Sequence, residues 1–587
     1  MKFIYNIIAA VAATFLITGC LNSIDETGFT PETPEIAFSQ ENVDVENKGG
    51  DIELTLNSNL PWRIKSDSPW IILTQENGLE GGKITVNIQK NRMREERRGV
   101  ITAWVTDEYK ASVNIIQAAA SASESFTYYV KADGNGLADG LTWETATTLP
   151  TALDLVGDGD KICIAAGSYS PVALITGGET EEEKTFEIHS NFTLEGGYPA
   201  NAVTGAVADP SANQTILSGS VGSTSAYHVV TVSAIQSTTA KVVLKNLTIS
   251  GGKGHSKTET IRRQAGSSLV DAAYGAGLYI GKSNVEVINC RVTENTGLHA
   301  AGCFIAPGAV VSFEKCTFIA NTANSNGGGV WNSGGNIVMN ECTIAQNTAA
   351  QQAAGFYSID AGGTLTVSRI YNSSFYGNDN TKSAEKRSGG ALYIRAGSDA
   401  IFVNCSFTGN KSGWGAVVSG HGTASAKSNT VFISCTMTGN HANNGGGGLF
   451  AYNTGAEVTA YNCIISGNTS SGYAAEAGTL DGVPASQVVV KNSILGSGLV
   501  DNLGGSVGGW TFSTAMLGEF GLYNGGSTNC FPLIVSADNP AVNQGMSNDD
   551  LTGLAASFNP AVDSRLVVAD QNGTARAKGS IGAVTAE

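Results

Sequence analysis

From Ile36 to Gln117 apolar and polar side chains alternate with a period near two. The runs are short and separated by Gly, Asn and Asp: "DIELTLNS", "WRIKS", "WIILTQ", "KITVNIQ", "GVITAWV" and "ASVNIIQ". Successive side chains of a strand point to opposite faces, so each run predicts a strand with one buried side. Six or seven such strands in about 80 residues predict a small antiparallel β-sandwich over 36–118. The stretch before it, "TGFTPETPE" (27–35), has two prolines and no apolar period, and reads as an extended tether. The small, polar "AAASASES" (118–125) reads as a linker, assigned to 119–125.

Beyond Phe126 the text predicts a strand, a Gly/Asp turn, a helix-like segment at 148–156 and the buried strand "KICIAAG". From 275 a repeat emerges. Cys290, Cys316, Cys342, Ser373, Cys405, Cys435, Cys463 and Ser493 stand at spacings of 26, 26, 31, 32, 30, 28 and 30 residues. Five residues after each of the first seven lies an asparagine: Asn295, Asn321, Asn347, Asn378, Asn410, Asn440 and Asn468. The positions three before and two after the cysteine column are apolar, and the position one after it is mostly hydroxylic.

This pattern predicts a coil that bends between −3 and 0 and stacks on itself at about 4.8 Å, the inter-strand spacing of a sheet. The asparagine suits a bend needing left-handed geometry, with its amide bonded along the stack. The cysteines then face the interior. A serine takes their place twice, which opposes an obligate disulfide scheme, and no two approach a C-x₂-C metal spacing. Buried thiols of this kind behave as small hydrophobes.

One strand earlier, "GAGLYIG", "AAGCFIAPG", "GGGVWNSGG", "AAGFYSIDAG", "GGALYIRAG", "WGAVVSGHG" and "GGGLFAYNTG" align. Their apolar column is Leu278, Cys303, Val330, Phe356, Leu392, Val417 and Leu449. The next column is Tyr279, Phe304, Trp331, Tyr357, Tyr393, Val418 and Phe450. Alternation places this aromatic column outside, where Tyr279, Trp331, Tyr357 and Tyr393 form a platform for stacking sugar rings. The competing reading is an offset strand whose aromatics stack inside.

Composition adds exclusions. The 587 residues include 73 Gly, 13 Pro and 14% charged side chains, with 42% hydrophobic residues. That is neither collagen nor a disordered chain. A net charge of −17 opposes nucleic-acid binding, and no nucleic-acid partner is expected.

At the N-terminus Lys2 precedes the apolar run "FIYNIIAAVAATFLIT" (3–18). The run is short and ends in small residues before a polar tail, which predicts a signal peptide over 1–19 rather than a membrane span. "ITGC" (17–20) resembles a bacterial lipobox, and the resemblance implies lipidation at Cys20, with residues 20–35 as the tether. "SIDE" (23–26) resembles the acidic export signals of Bacteroidetes surface lipoproteins. It implies an outer-membrane, cell-surface location.

Three further resemblances follow from quoted residues. Trp62, Trp70, Gly78, Asn91, Arg98 and Gln117 resemble, in order and spacing, the BACON domain, an immunoglobulin-like module described as carbohydrate-associated. The opening of the large region resembles the first coils of right-handed parallel β-helix proteins of the pectate-lyase-like architecture, with 148–156 as the cap over the open end. "LIVSADNPAVNQG" (533–545) and "NPAVD…VADQNGTARAKGSIGAVTAE" (559–587) resemble the closing segments of bacterial β-helix surface proteins, although Asn539 and Asn543 replace the usual Ser and Asp. That segment is read as capping the other open end. The fold class is therefore all-β, a sandwich followed by a β-helix over 126–532 and a C-terminal coil and cap over 533–587.

Catalytic constellations are sparse. Asp399 and Glu457 share one column two coils apart, about 9–10 Å, with Asn429 between them. Glu286, Glu294, Glu314 and Glu341 fall in different columns, and His255, His299, His421 and His441 share none. Lys253, Lys257, Arg262 and Arg263 cluster in an insertion that reads as a solvated loop. The expectation is a monomeric, non-catalytic binder of polysaccharide or host or dietary glycan, with no cofactor; calcium is not indicated. Polysaccharide lyase or glycoside hydrolase, and a structural stalk, are the alternatives.

Overall fold

The computed structural model describes residues 32–585 apart from 122, 257–259, 383–387, 497, 502–504 and 578. Cys20, the whole signal segment and Lys257 lie outside the described residues. The chain forms two compact units, divided at Ser121.

The first unit is a sandwich of a four-stranded and a five-stranded sheet. Alternation works as read: Leu54, Leu56, Ile84, Val86, Ile101, Ala103, Val113 and Ile115 form its core. Trp62 is buried there and its Nε1 donates to the Glu80 carbonyl at 2.9 Å. Trp70 packs at the core's margin, with the Arg97 guanidinium stacked on it 4.4 Å from the ring centroid. Asn91 and Gln117 are fully buried, and each spends its amide on backbone carbonyls of neighbouring turns.

The second unit is a parallel β-helix. Its main sheets contain 12, 13 and 10 strands, and a seven-stranded ladder joins them from Thr296 onward. Successive coils pair in parallel and in register, as in Val285↔Val311↔Ile337. One continuous apolar core fills the interior from Tyr128 to Val490. At its start the helix Leu149–Leu155, capped by Thr148, inserts Leu149 and Ala152 into that core.

The cysteine column lies inside. Cys290, Cys316, Cys342, Cys405, Cys435 and Cys463 are free and buried. The serines fit the same place: the Ser373 and Ser493 hydroxyls accept from the Cys342 and Cys463 amides at 3.0 and 2.9 Å.

The bend falls where the period breaks, but the left-handed residue is the one just before the cysteine column. Asn289, Lys315, Glu341, Asn372, Asn404, Ser434 and Asn462 all have φ between 49° and 55°. A second left-handed position precedes the repeated asparagine, as in Ala320, Gln346, Gly377 and Gly409. The asparagine itself is not left-handed. Its side chain turns into the coil, which is why only an amide fits: it must donate and accept along the stack at once.

The apolar and aromatic columns also shift by one residue in a single coil. Val418, not Val417, pairs between Leu392 and Leu449, and Ser419 takes the aromatic position between Tyr393 and Phe450. The small-residue run before this strand ends one residue later than it reads, and a slip of one exchanges the two faces.

The C-terminal segment does not lie across the end of the coil among the described residues; it folds back along its outer surface. Helices Asn548–Ala556 and Ser564–Val567 pack Leu551, Ala555 and Val567 on Ile401, Val403, Val431 and Ile433. Farther on, Ala541 and Ile581 cover Ile464 and Ile494. The outward hydroxyl column receives this segment: the Ser406 Oγ donates to Gln571 at 2.6 Å, and the Thr436 Oγ1 accepts from the Ala583 amide at 2.9 Å. Apolar outer positions in these coils left the solenoid a surface that needed covering.

Candidate functional site

The aromatic column points away from the interior core, as alternation requires, because its neighbours Leu278 and Ile280 belong to that core and Tyr279 does not. The rings form a continuous ladder. Centroids lie 5.1 Å apart for Tyr279–Phe304, 6.2 Å for Phe304–Trp331, 4.2 Å for Trp331–Tyr357 and 5.4 Å for Tyr357–Tyr393. The expected open platform is absent, however. Tyr279 is 3% exposed, Trp331 8%, Tyr357 1% and Tyr393 0%.

The cover comes from elsewhere in the chain. Hairpin Arg262–Ala265/Ser268–Asp271 supplies Ala265 and Val270, and the coil edge supplies Tyr274, Ala300 and Ala353. The "solvated loop" of basic residues is thus partly a structured cover: Arg263 grips Glu183 at 2.5 and 3.0 Å. His299 joins the same assembly, stacked on Tyr274 at 4.8 Å.

Asp399, Asn429 and Glu457 do occupy one register column on consecutive coils. Each carboxylate is committed to a cation, Asp399 to Arg369 at 2.7 Å and Glu457 to Lys427 at 2.5 Å. Among the described residues no group of three or more His, Cys, Asp and Glu is arranged to hold a metal ion.

A cleft of about 470 Å³ lies on the outer face of the first coils, in a part of the chain where the repeat is not readable. Tyr129, Trp143 and Tyr198 line it, with centroids 4.8 Å apart for Tyr129–Trp143 and 5.2 Å for Trp143–Tyr198. Lys161 also lines it, and Glu195 bridges Lys161 at 2.5 Å and Lys245 at 2.8 Å. The Tyr198 hydroxyl donates to the same carboxylate at 2.9 Å. Strand register places Cys163, Glu195 and Lys245 in one outward column, with Lys161 two residues before Cys163 on the same face.

Residues 276–495 match the family model described as "Right handed beta helix region", and residues 35–120 match the "Viral BACON domain" model. The chain carries a BACON domain and a right-handed β-helix. Among solved structures, the pectate lyase Pel9A aligns over 73% of this chain and 92% of its own, at 14% identity and a TM-score of 0.40. A rhamnogalacturonan lyase aligns over 63% and 87%, at 13% identity and 0.34. A GH5 xyloglucanase of Bacteroides ovatus aligns over 29% and 37%, at 14% identity and 0.15. A search of curated proteins returned no match.

The charge state of the β-helix cleft follows from its contacts. Burial pushes the Glu195 carboxyl up, but donation from Lys161, Lys245 and Tyr198 outweighs it and holds the pKa below its ordinary value. Burial likewise works against the Lys161 ammonium, and the Glu195 contact more than restores it, so its pKa is raised. Burial, with the Cys163 and Glu195 contacts, pushes the Tyr198 phenol far up. Cys163, buried beside Tyr198, is raised as well. Near neutral pH Lys161 is therefore an ammonium, Glu195 a carboxylate and Tyr198 a neutral phenol. None of these is a free base.

Proposed function

We propose that the β-helix binds glycans without transforming them, and that the first-coil cleft is a binding site for sugar units carrying a carboxylate. The observation that carries this reading is the aromatic trio Tyr129, Trp143 and Tyr198 lining one cleft with Lys161, itself part of the Lys161–Glu195–Lys245 bridge. Aromatic side chains give sugar C–H faces an apolar surface. Two lysines on one carboxylate leave an excess positive charge for an acidic group. A lyase needs a deprotonated base at the sugar, and the raised Lys161 and Tyr198 oppose that role.

Calorimetric titration of the protein with polygalacturonate, beside a Lys161→Ala variant, tests binding; an affinity unchanged in the variant rejects the cleft. Absorbance at 235 nm in the same mixtures tests catalysis, since an unsaturated product would overturn the non-catalytic reading. The N-terminal sequence supports placement at the outer membrane through acylated Cys20. Release of a Cys20→Ser variant from the membrane fraction is the matching outcome there.

A further inference from the structure

A second recess, of about 660 Å³, lies on the β-helix between coil edges spanning Asp360 to Glu457 and the loop Ser557–Asn559 of the C-terminal segment. Register brings Asp399, Asn429 and Glu457 onto three consecutive coils, so hydrogen-bonding side chains recur at about 4.8 Å along it. The column is held rigid. Asp399 accepts from Arg369 Nη2 at 2.7 Å and from Asn429 Nδ2 at 2.7 Å. Arg369, 4% exposed, also donates to the Asp399 carbonyl at 3.2 Å, and its buried Nε has no partner among the described residues. Two apolar side chains flank this polar row: Leu365, 58% exposed, and half-buried Phe558 from the C-terminal loop.

We propose that this recess is a second binding site, for an uncharged polysaccharide. Sugar hydroxyls donate to Asp399, Glu457 and the Asn429 amide oxygen, and a ring face packs on Leu365 and Phe558. The charge balance selects the class. Arg369 pairs with Asp399, Lys427 with Glu457, and Asp360 lies in the field of Arg395, so no cation is left over to hold a uronate. In the first-coil cleft, by contrast, two lysines share one carboxylate. Because both Asp399 and Glu457 are ion-paired, they serve here as fixed acceptors rather than as an acid–base pair. The proposal shares the glycan-binding reading but rests on different residues and on an uncharged rather than an acidic ligand.

The test is calorimetric titration of the full chain with soluble xyloglucan oligosaccharides and mixed-linkage β-glucan, beside polygalacturonate. Asn429→Ala and Phe558→Ala, made separately, are expected to weaken binding of an uncharged probe at least tenfold and to leave polygalacturonate binding unchanged. Phe558 also packs on the cluster that docks the C-terminal helices, so Leu365→Ala, at a side chain 58% exposed, decides the matter if either of those variants fails to fold. The proposal falls if the wild-type protein binds neither uncharged probe, or if the well-folded variants bind them as wild type does. Lys161→Ala separates the two sites. Loss of polygalacturonate binding there, with intact groove variants, sinks only the second site; loss of glucan binding in the groove variants alone sinks only the first.

Discussion

The Asn410 Nδ2 donates to the Asn440 Oδ1 at 2.9 Å, one coil along the solenoid. The same bond links Asn295 to Asn321, Asn321 to Asn347, Asn347 to Asn378, Asn378 to Asn410 and Asn440 to Asn468, at 2.8–3.0 Å. Each Oδ1 also takes the backbone N–H of the coil before, as Asn440 does for Asn410 at 3.0 Å. The result is a buried amide ladder inside the turn.

Asn410→Ala removes four of these bonds and strands buried partners on Phe375, Asn378 and Asn440. An unmet buried polar group costs about 1–3 kcal/mol, so the loss is expected to be about 3 kcal/mol or more. Cys405→Ser, five residues earlier, is expected to cost under about 1 kcal/mol, because the serine hydroxyl can bond the carbonyl two residues back as Ser373 does at 2.6 Å. Denaturant midpoints of the two variants check the contrast. Equal losses would mean that the ladder adds nothing special.

The columns of this ladder were legible because seven coils repeat the same residue types in the same order. The left-handed position beside the cysteine was not, because Asn, Lys, Glu and Ser all occupy it. The outward direction of Tyr279, Trp331, Tyr357 and Tyr393 followed from alternation. Their burial did not, because Ala265 and Val270 reach them from a hairpin inserted before the repeat. The Lys161–Glu195–Lys245 cluster left no periodic trace. Cys163, Glu195, Lys245 and Ile288 share a column, yet they stand 32, 50 and 43 residues apart. Irregular loops hid the alignment that the strands restore.

His228 makes stability depend on pH. It is buried, its Nδ1 3.0 Å from the Gly275 carbonyl and its ring against Tyr279. Burial lowers its pKa to about 4, against the opposing pull of Gly275, Asp271 and Glu183. Unfolded, the imidazole titrates near 6.5. Above that value both states are neutral and stability is full. As pH falls from about 6.5 to about 4, the unfolded chain takes up a proton that the folded one refuses, so stability drops, by roughly 3 kcal/mol. Denaturant midpoints at pH 7 and pH 4.5 measure the drop, which is expected to shrink in His228→Gln. An identical drop in that variant assigns it to other groups.

In the BACON domain, Gly78 owes its identity to Trp62. A Cβ there would stand 2.4 Å from the Trp62 Cζ2 and 2.6 Å from its Cε2. The indole cannot retreat, since it is buried in the sandwich core and tied to the Glu80 carbonyl. Gly78→Ala is expected to destabilise the domain by about 1–3 kcal/mol, the range for overpacking a filled core. Hydrogen exchange at Leu54 and Ile101 reports on this unit alone, and faster exchange at both is the outcome sought. Unchanged protection would show that the ring moves freely.

Arg576 fixes the C-terminal segment to the coils. It is 3% exposed, donating from Nη1 to the Gly582 carbonyl at 2.9 Å and from Nη2 to the Asn404 Oδ1 at 2.8 Å. Asn404 in turn donates to the Leu566 and Ala569 carbonyls, so one pair of side chains ties three parts of the tail to one bend. Arg576→Met keeps the apolar stem and removes both charge-assisted bonds, each worth about 1.5–3 kcal/mol. The docked helices should then open more often, and thermolysin cleavage around Leu551–Phe558 is expected to rise at least tenfold. Arg576→Lys is expected to resemble Arg576→Met, because one ammonium cannot copy the planar fork that spans both acceptors. Protection of the Asn321 amide, far back in the ladder, should stay as in wild type. Cleavage at the wild-type rate in both variants would mean that the apolar contacts of Leu551, Ala555 and Val567 hold the tail without the guanidinium.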